Sequence, residues 1–435
     1  MKALIMAGGK GTRLTEITKD ELPKPMAKIA GKPIVLWSIE NLRDQGVDEI
    51  YLSVGHLREK IMDYFGDGEK FGVKINYLIE DEPLGSAGAL FYLKDKMDDD
   101  FIVCSGDAIF DINIKKMLDY HKKKHSILTM LTHPNLHPYD SDLVVCDANG
   151  KVFAFDKKNN VRNYYYKNNV NAGYFIVNPV ALGYFKEKRK VSMEGDFIQS
   201  LIDGGNEVYA YQSAEYIKDV GTPERFYQTE KDIKNGIVHA KNSRYKQKAV
   251  FLDRDGTINI YKGFIRNSDD FELIPGVCDA IKKINASGYL AIVVTNQPVI
   301  ARGECSFEEL DKMFRKMETL LGMQGAYVDG IYFCPHHPHK GYEGEVPELK
   351  IECECRKPKI GMLKQAEKDF NLDLSKCVLI GDSNVDIQTA RNAGIPVIRV
   401  KSDLQEQEKL SADRNTDSLI EAVDAILEND YERKN

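Results

Sequence analysis

The sequence predicts an α/β protein built as two domains in succession, and three observations carry that prediction. Short apolar runs alternate with segments of helical period along most of the chain, the pattern of βαβ units on a mostly parallel sheet. The alternation lapses at "NGIVHAKNSRYKQ" (235–247), which is polar and basic, and then resumes with a new series. The 435 residues also exceed what one hydrophobic core ordinarily organises. We therefore expect domains over 1–238 and 247–435.

In the first half the strands are read at "KALIMAG", "EIYLSVG", "VKINYLIE" and "FIVCSGD", each short, apolar and closed by a turn residue or an acid. Helices are expected between them at "VLWSIENLRDQG" and "SAGALFYLKDKM". From Leu143 the pattern becomes a hairpin, "LVVCDANGKVFAF", with Asn149 and Gly150 supplying positive-φ turn residues. "VGTPERFYQTEKDI" starts a helix with Thr222 as N-cap and Pro223 in the first helical position. The second series reads "AVFLDRDGT", "LAIVVTNQ", "DGIYFCPHH", "CVLIGDSN" and "PVIRV" as strands, and "SLIEAVDAILEND" as a closing helix. No internal repeat is visible.

Composition excludes several classes of function. Apolar residues at 43% and charged residues at 29% are ordinary for a soluble globular chain. A net charge of -7 argues against a nucleic-acid partner, which calls for a basic surface. No apolar stretch approaches the roughly 20 residues that span a bilayer, so no membrane partner is expected. "MKALIMAGGKGTRL" reads as a strand entering a loop, not as a signal peptide. Cytoplasmic residence is the expectation, and reduced thiols with it, so clustered cysteines favour metal over disulfide.

The first half carries a phosphate-binding pattern. In "AGGKGTRL", Gly8, Gly9 and Gly11 let the backbone approach a phosphate, Thr12 adds a hydroxyl, and Arg13 a forked cation. The dinucleotide fingerprint is excluded, because its third glycine falls on Leu14, and a Walker loop lacks its Gly-Lys-Ser/Thr. Lys24, between two prolines in "LPKPM", is mounted on a stiff backbone suited to a charged ligand. Asp107 and Asp219 close apolar strands. Singly each reads equally well as a helix cap, and together they make a Mg²⁺ site.

The ordered set "AGGKGTRL…LPKPM", "PLGSAGAL", "SGD", "NAGYFI" and "DVGTPERF" resembles the sugar-1-phosphate nucleotidyltransferases over roughly residues 1–235. The resemblance implies a Rossmann-like domain in which a sugar 1-phosphate attacks the α-phosphorus of a nucleoside triphosphate. It assigns Ala7 and the glycine loop to the nucleotide, Arg13 to the triphosphate, and Lys24 to the phosphate at the reacting centre. Asp107 and Asp219 would hold Mg²⁺. Gly85, Ser86 and Gly88 would line the base, and Lys157, Asn171, Gly173 and Glu194 would contact the sugar or its phosphate. Asp156 is shorter than the glutamate usual before Lys157 in that family.

In the second half, "VFLDRDGT" places Asp253 and Asp255 two residues apart at a strand end, where alternate side chains share a face. Two anions that close call for a cation or a raised pKa. "VVTNQ" adds Thr295 and Asn296, "CRKPK" adds Lys357, and "LIGDSNVD" adds Asp382, each group at or near the end of a strand. This order resembles the haloacid dehalogenase-like phosphatases over roughly 248–402. The resemblance implies Asp253 as nucleophile, Asp255 as general acid and base, and Thr295 and Lys357 on the phosphoryl oxygens. Mg²⁺ would sit on Asp253, Asp382 and the backbone carbonyl of Asp255.

"CPHHPHKGYEGEVPELKIECECRKPK" (334–359) holds three of the eight cysteines and three of the nine histidines. Cys334, His336, Cys353 and Cys355 supply the donor set of a closed, structural Zn²⁺ site, with His337 the alternative to His336 as ligand. His337 and His339 otherwise read as surface histidines. So hydrophilic a loop gains its order from coordination. The insert, with "TNQPVIARG" and "CRKPKIGM", resembles the heptose bisphosphate phosphatases and implies sugar contacts for Asn296, Arg302 and Arg356. Pro298-Val299 depart from the small residue and glycine usual there.

Taken together, the two resemblances imply removal of the 7-phosphate of D-glycero-D-manno-heptose 1,7-bisphosphate, and transfer of GMP from GTP to heptose 1-phosphate. The alternative is a mannose- or other hexose-1-phosphate nucleotidyltransferase joined to a general sugar or histidinol phosphatase. Sugar phosphates and a nucleoside triphosphate are the expected partners, and an oligomer is left open.

Overall fold

The computed structural model describes residues 1–9, 11–406 and 410–430, except for the side chain of Thr12. The chain forms two compact units. One comprises 1–133, 142–157 and 169–242; the other comprises 134–141, 158–168 and 243 onward. The second unit thus includes two stretches from within the first half of the sequence.

In the first unit, β1 (Lys2–Met6), β2 (Glu49–Val54), β3 (Lys74–Ile79) and β4 (Phe101–Ser105) pair in parallel in the order β4-β1-β2-β3. Their side chains alternate between two buried clusters. Leu4 and Val103 face one way, while Ala3, Ile5, Ile50, Leu52 and Ile102 face the other. A sheet covered on both faces explains why these strands read as continuous apolar runs. β5 (Ala108–Asp111) leaves the sheet. β6 (Leu128–His133), β7 (Leu143–Cys146), β8 (Val152–Asp156), β9 (Val170–Val177) and β10 (Val208–Gln212) extend it, with β9 antiparallel to β4 and β6. β11 (Tyr216–Asp219) pairs antiparallel with β5, setting Asp219 opposite Ala108.

Helix α1 (Ile34–Arg43) covers "VLWSIENLRDQG", and α2 (Arg58–Phe65) and α3 (Ile114–Lys123) follow. α4 (Pro223–Lys234) has its expected cap, the Thr222 hydroxyl accepting from the Arg225 amide. "SAGALFYLKDKM" differs from expectation, forming a 3-10 run over Gly88–Leu93. Its apolar residues lie next to one another rather than at helical spacing, and Ala87, Ala89, Leu90 and Leu93 are all buried in the same cluster. In the β7–β8 hairpin only Gly150 takes positive φ, at 83°. Asp147 replaces the expected two-residue turn by accepting from the amides of Asn149 and Lys151, both at 2.8 Å.

In the second unit, six parallel strands run in the order β14-β13-β12-β15-β16-β17. They are β12 (Lys248–Leu252), β13 (Tyr289–Asn296), β14 (Gly330–Cys334), β15 (Val378–Gly381), β16 (Val397–Val400) and β17 (Arg414–Thr416). Helices α5 (Val277–Asn285), α6 (Phe307–Met323), α7 (Gly361–Phe370), α8 (Asn384–Ala393) and α9 (Leu419–Leu427) complete it. Val250, Leu252, Ala291, Val293, Val378 and Ile380 join residues of α5, α6 and α9 in one core. Because the strands are parallel, β12, β13 and β15 all deliver their last residues to one edge of the sheet.

Among the described residues, no helix is long and apolar enough to cross a membrane.

Candidate active sites

The first unit holds a cavity of about 420 Å³ at the carboxyl ends of β1, β2 and β4. Ala7, Gly8, Gly9, Gly11 and Arg13 line it, together with Gly85 and Ser86 and with Lys24, Ser105 and Asp107. The glycine loop is pinned at its start by the Ala7 amide on the Ser53 carbonyl, at 2.9 Å. Gly11 is required twice: its φ is +63°, and a Cβ there would lie 2.5 Å from Cβ of Lys24. Thr12, expected at the nucleotide, has its side chain outside the described residues.

Lys24 is 5% exposed, and its Nζ lies 2.5 Å from Asp107 Oδ2 and 3.2 Å from Asp219 Oδ1. The β5–β11 pairing brings those two carboxylates together across 112 residues of chain (219 less 107). Burial works to raise the Asp107 carboxyl, but the Lys24 charge and the hydrogen bonds from Lys24 and Ser105 outweigh it and hold it below the ordinary range. Arg225 takes the other oxygen of Asp219 at 2.9 Å. Two carboxylates meeting over one buried ammonium, with oxygen donors only, fit a hard divalent cation that shares substrate phosphates.

None of the predicted sugar contacts is among the residues lining this cavity, but Gly173 adjoins one that is, Ser105. Asn171 donates to Glu194 at 2.7 Å and accepts from the Gly173 amide at 3.1 Å, within an irregular stretch of β9. Lys157 pairs with Asp142 at 3.2 Å. Gly88 is buried against Leu84, and Ala89 reaches the cavity instead. Sequence reasoning missed Glu80, whose carboxylate lines the cavity, accepting from the Ser53 hydroxyl and, at 3.0 Å, from the Leu84 amide. Its place at the end of "VKINYLIE" was the available signal, hidden by the acidic run "EDE" that reads as solvated surface.

In the second unit Asp253 follows β12, Asp382 follows β15, and Asp386 lies in the first turn of α8. Oxygens of all three converge within 4.8 Å. Lys357 is 4% exposed, with Nζ 2.8 Å from Asp253 and 2.6 Å from Asp386. Burial first, then the Asp386 charge, pushes the Asp253 carboxyl well up, and Lys357 only partly offsets this. Burial likewise raises Asp382, against a hydrogen bond from Ser402. Three buried carboxylates with one lysine carry surplus negative charge, and the donor set fits Mg²⁺. Asp386 escaped the sequence reading because it also completes a capping box with Ser383, which is a sufficient structural reason for an acid there.

Asp255 stands apart from that trio. Both its oxygens accept from the fully buried Arg254, and Gln297 donates to it at 3.0 Å and to Thr295 Oγ1 at 2.9 Å. Asn296, expected on the substrate, spends both ends of its amide on the Lys357 backbone, each at 3.0 Å. It thereby fixes the lysine.

The metal loop brings together the expected quartet. Sγ of Cys355 lies 3.2 Å from that of Cys334 and 3.4 Å from that of Cys353, and His336 Nδ1 lies 3.2 Å from Cys355 Sγ. Ligand atoms of all four residues converge, and three thiols with one imidazole suit a tetrahedral soft-to-borderline cation. Burial, with the neighbouring Cys355 thiol, pushes the Cys334 thiol up. His337 is a correction. It is neither a ligand nor a surface residue, being 5% exposed and in contact with Arg302. Arg356 donates to the His336 carbonyl at 3.1 Å.

A phosphate cradle on a Rossmann-like unit, and a carboxylate trio with a buried lysine on a parallel α/β unit, define a bifunctional nucleotidyltransferase and phosphomonoester hydrolase. Residues 2–236 match the nucleotidyl transferase family, and 354–426 match the HAD-hydrolase-like family. The D-glycero-beta-D-manno-heptose-1,7-bisphosphate 7-phosphatase of Haemophilus ducreyi is 40% identical over 181 residues, which is 41% of this chain and 97% of that protein. The UTP–glucose-1-phosphate uridylyltransferase of Synechocystis is 34% identical over 254 residues, covering 54% of this chain and 65% of that protein. A crystal structure of HddC from Yersinia pseudotuberculosis aligns over 53% of this chain and 99% of its own, at 27% identity and a TM-score of 0.47. The chain belongs to the nucleotidyl transferase family, and its second half to the heptose bisphosphate 7-phosphatases.

Proposed function

We propose that the second unit hydrolyses the 7-phosphate of D-glycero-D-manno-heptose 1,7-bisphosphate, and that the first joins the resulting heptose 1-phosphate to GMP from GTP. The observation that carries the first step is the convergence of Asp253, Asp382, Asp386 and Lys357, in a half-chain 40% identical to a phosphatase named for that substrate. Asp253 attacks phosphorus, the bond from phosphorus to the C7 oxygen breaks, and Asp255 delivers the proton to that oxygen. Asp255 then takes a proton from water, which attacks the aspartyl-phosphate and frees inorganic phosphate. A magnesium ion held by Asp253, Asp382, Asp386 and the Asp255 carbonyl would neutralise phosphoryl charge. Zinc on Cys334, His336, Cys353 and Cys355 would be structural, since four protein ligands leave no open position.

In the first unit, the glycine loop and Arg13 receive the triphosphate, and Lys24 steadies the phosphate at the reacting centre. Asp107 and Asp219 would hold Mg²⁺ there. The sugar 1-phosphate oxygen attacks the α-phosphorus and pyrophosphate leaves. Glu80 supports guanine as the base, because a carboxylate accepts from the adjacent N1–H and N2–H₂ of guanine, whereas uracil and adenine offer no such pair. The Synechocystis relative favours a second reading, uridylyl transfer to a hexose 1-phosphate.

One incubation separates them: protein with Mg²⁺, GTP or UTP, and either anomer of heptose 1,7-bisphosphate or glucose 1-phosphate, read by mass spectrometry. GDP-heptose with inorganic phosphate is the expected product. UDP-glucose formed in preference would replace the reading of the first unit, and absence of phosphate release from both anomers would remove that of the second.

A further inference from the structure

The chain between β8 and β9, residues 157–169, forms neither helix nor strand. A loop of that length costs conformational entropy to order and needs partners outside itself. Here 158–168 finds them within the second unit, on α6 and on 134–141. The Thr319 hydroxyl accepts from the Tyr166 amide at 2.9 Å and donates to the Tyr166 carbonyl at 3.1 Å. One side chain thus satisfies both backbone groups of a buried residue. Glu318 accepts from the Asn168 amide. Gly322, on the same face of α6, leaves room for Pro138, since a Cβ there would lie 2.4 Å from the proline Cγ. The two stretches are also fastened to each other. Arg162 donates to the carbonyls of Pro138 and Ser141 at 2.8 and 2.7 Å, and Asn168 exchanges hydrogen bonds with the Asn135 backbone at 2.8 and 3.0 Å.

Both ends of 158–168 lead straight to residues expected at the sugar. Residues 169 and 170 alone separate Asn168 from Asn171. Asn171 accepts from the Gly173 amide, and a Cβ on Gly173 would lie 3.8 Å from that of Ser105, which lines the cavity of the first unit. The ladder between β9 and β6 is irregular from Asn171 to Phe175, so sheet pairing leaves this part of β9 weakly specified. At the other end Lys157 directly precedes the stretch and pairs with Asp142, which directly follows 134–141.

We infer that Thr319 and Gly322 are positioning residues for the transferase: by holding 158–168 and 134–141, α6 sets Lys157 and Asn171 for the sugar 1-phosphate. The inference rests on the nucleotidyltransferase reading of the first unit and on the sugar-side role given to those two residues. A helix of the phosphatase half then tunes the affinity of the transferase for its sugar, while the nucleotide stays with the glycine loop and Arg13.

The test uses the full chain and measures guanylyl transfer to heptose 1-phosphate, phosphate release from heptose 1,7-bisphosphate, and hydrogen exchange over 158–168. Thr319→Val removes the hydroxyl at nearly constant volume. Gly322→Ala drives a Cβ into Pro138 while favouring the helix itself. For both variants we expect KM for heptose 1-phosphate to rise about tenfold, with kcat and KM for GTP within a factor of about two. Exchange over 158–168 should quicken and phosphate release stay unchanged. Thr319→Ser, which keeps the hydroxyl, should restore KM. Quicker exchange with an unchanged KM for the sugar overturns the inference, because the stretch is then ordered without serving the site. Unchanged exchange in both variants overturns it as well, because α6 then does not hold the stretch. So does loss of phosphate release, or an equal rise in KM for GTP, in both variants, which marks a merely structural role. If the wild type transfers no GMP to heptose 1-phosphate, the nucleotidyltransferase reading itself fails, and the inference with it.

Discussion

In the function proposed, Glu80, Arg13 and Asp253 each have one chemical job, so substitutions at these positions should separate the activities cleanly. Asp253→Asn removes the nucleophile while preserving its shape, and phosphate release should fall by on the order of 10³-fold or more, with nucleotidyl transfer unchanged. Arg13→Ala removes a cation from the triphosphate, and transfer should fall by about 10²-fold with phosphate release intact. Loss of both activities in either variant would defeat the two-site assignment. Glu80→Gln presents a donor to guanine where an acceptor stood, so kcat/KM should fall about 10- to 100-fold for GTP and little for UTP. A uniform loss across nucleotides would make Glu80 a support for Ser53 and Leu84 only. Residues of this kind are unevenly legible. Asp253, Lys357 and the cysteine quartet announce themselves by rare spacing. Glu80 and Asp386 do not, because an acid at a strand end or in a first helical turn has an ordinary structural explanation.

At the level of elements, strands were legible because burial on both faces writes a continuous apolar run, as in β1, β12 and β15. The Gly88–Leu93 segment was misread as a helix because an apolar run fits a buried turn equally well. If the Cys334–Cys355 loop is ordered by zinc, as proposed, native mass spectrometry should find about one zinc per chain, lost in Cys353→Ser together with phosphatase activity. Full activity without metal would refute a structural zinc. Helix α6 carries a different dependence. Burial, opposed by the Lys167 charge and the Asn168 amide, pushes the Glu318 carboxyl up from 4.5 to about 7. The folded chain therefore keeps a proton that the unfolded chain loses, and stability falls as pH rises through that window, by on the order of 3 kcal/mol. Glu318→Gln should flatten Tm between pH 5 and 8, and an unaltered slope would place the titrating group elsewhere. Thr319 beside it accepts from the Tyr166 amide at 2.9 Å and donates to the Tyr166 carbonyl at 3.1 Å, so α6 holds a stretch that sequence order alone assigns to the first half.

For the whole molecule, the chemistry of the intermediate decides how the two activities combine. Heptose 1-phosphate is small, charged and stable in water, and the phosphatase step leaves it with no covalent tie to Asp253, because the enzyme-bound species is the phosphoryl group. It is then free to diffuse to any competent transferase unit. A mixture of Asp253→Asn and Arg13→Ala chains should accordingly make GDP-heptose from heptose 1,7-bisphosphate and GTP, although neither variant does so efficiently alone. The rate should rise with the concentration of each variant, and unlabelled heptose 1-phosphate should dilute isotope from labelled bisphosphate in the product. Failure of the mixture, with each remaining activity intact on its own substrate, would mean that the intermediate passes between units of one chain without entering solution. Complementation with isotope dilution fixes the order as hydrolysis first and transfer second, since a transferase that accepted the bisphosphate directly would yield GDP-heptose still bearing its 7-phosphate in the Asp253→Asn chain alone.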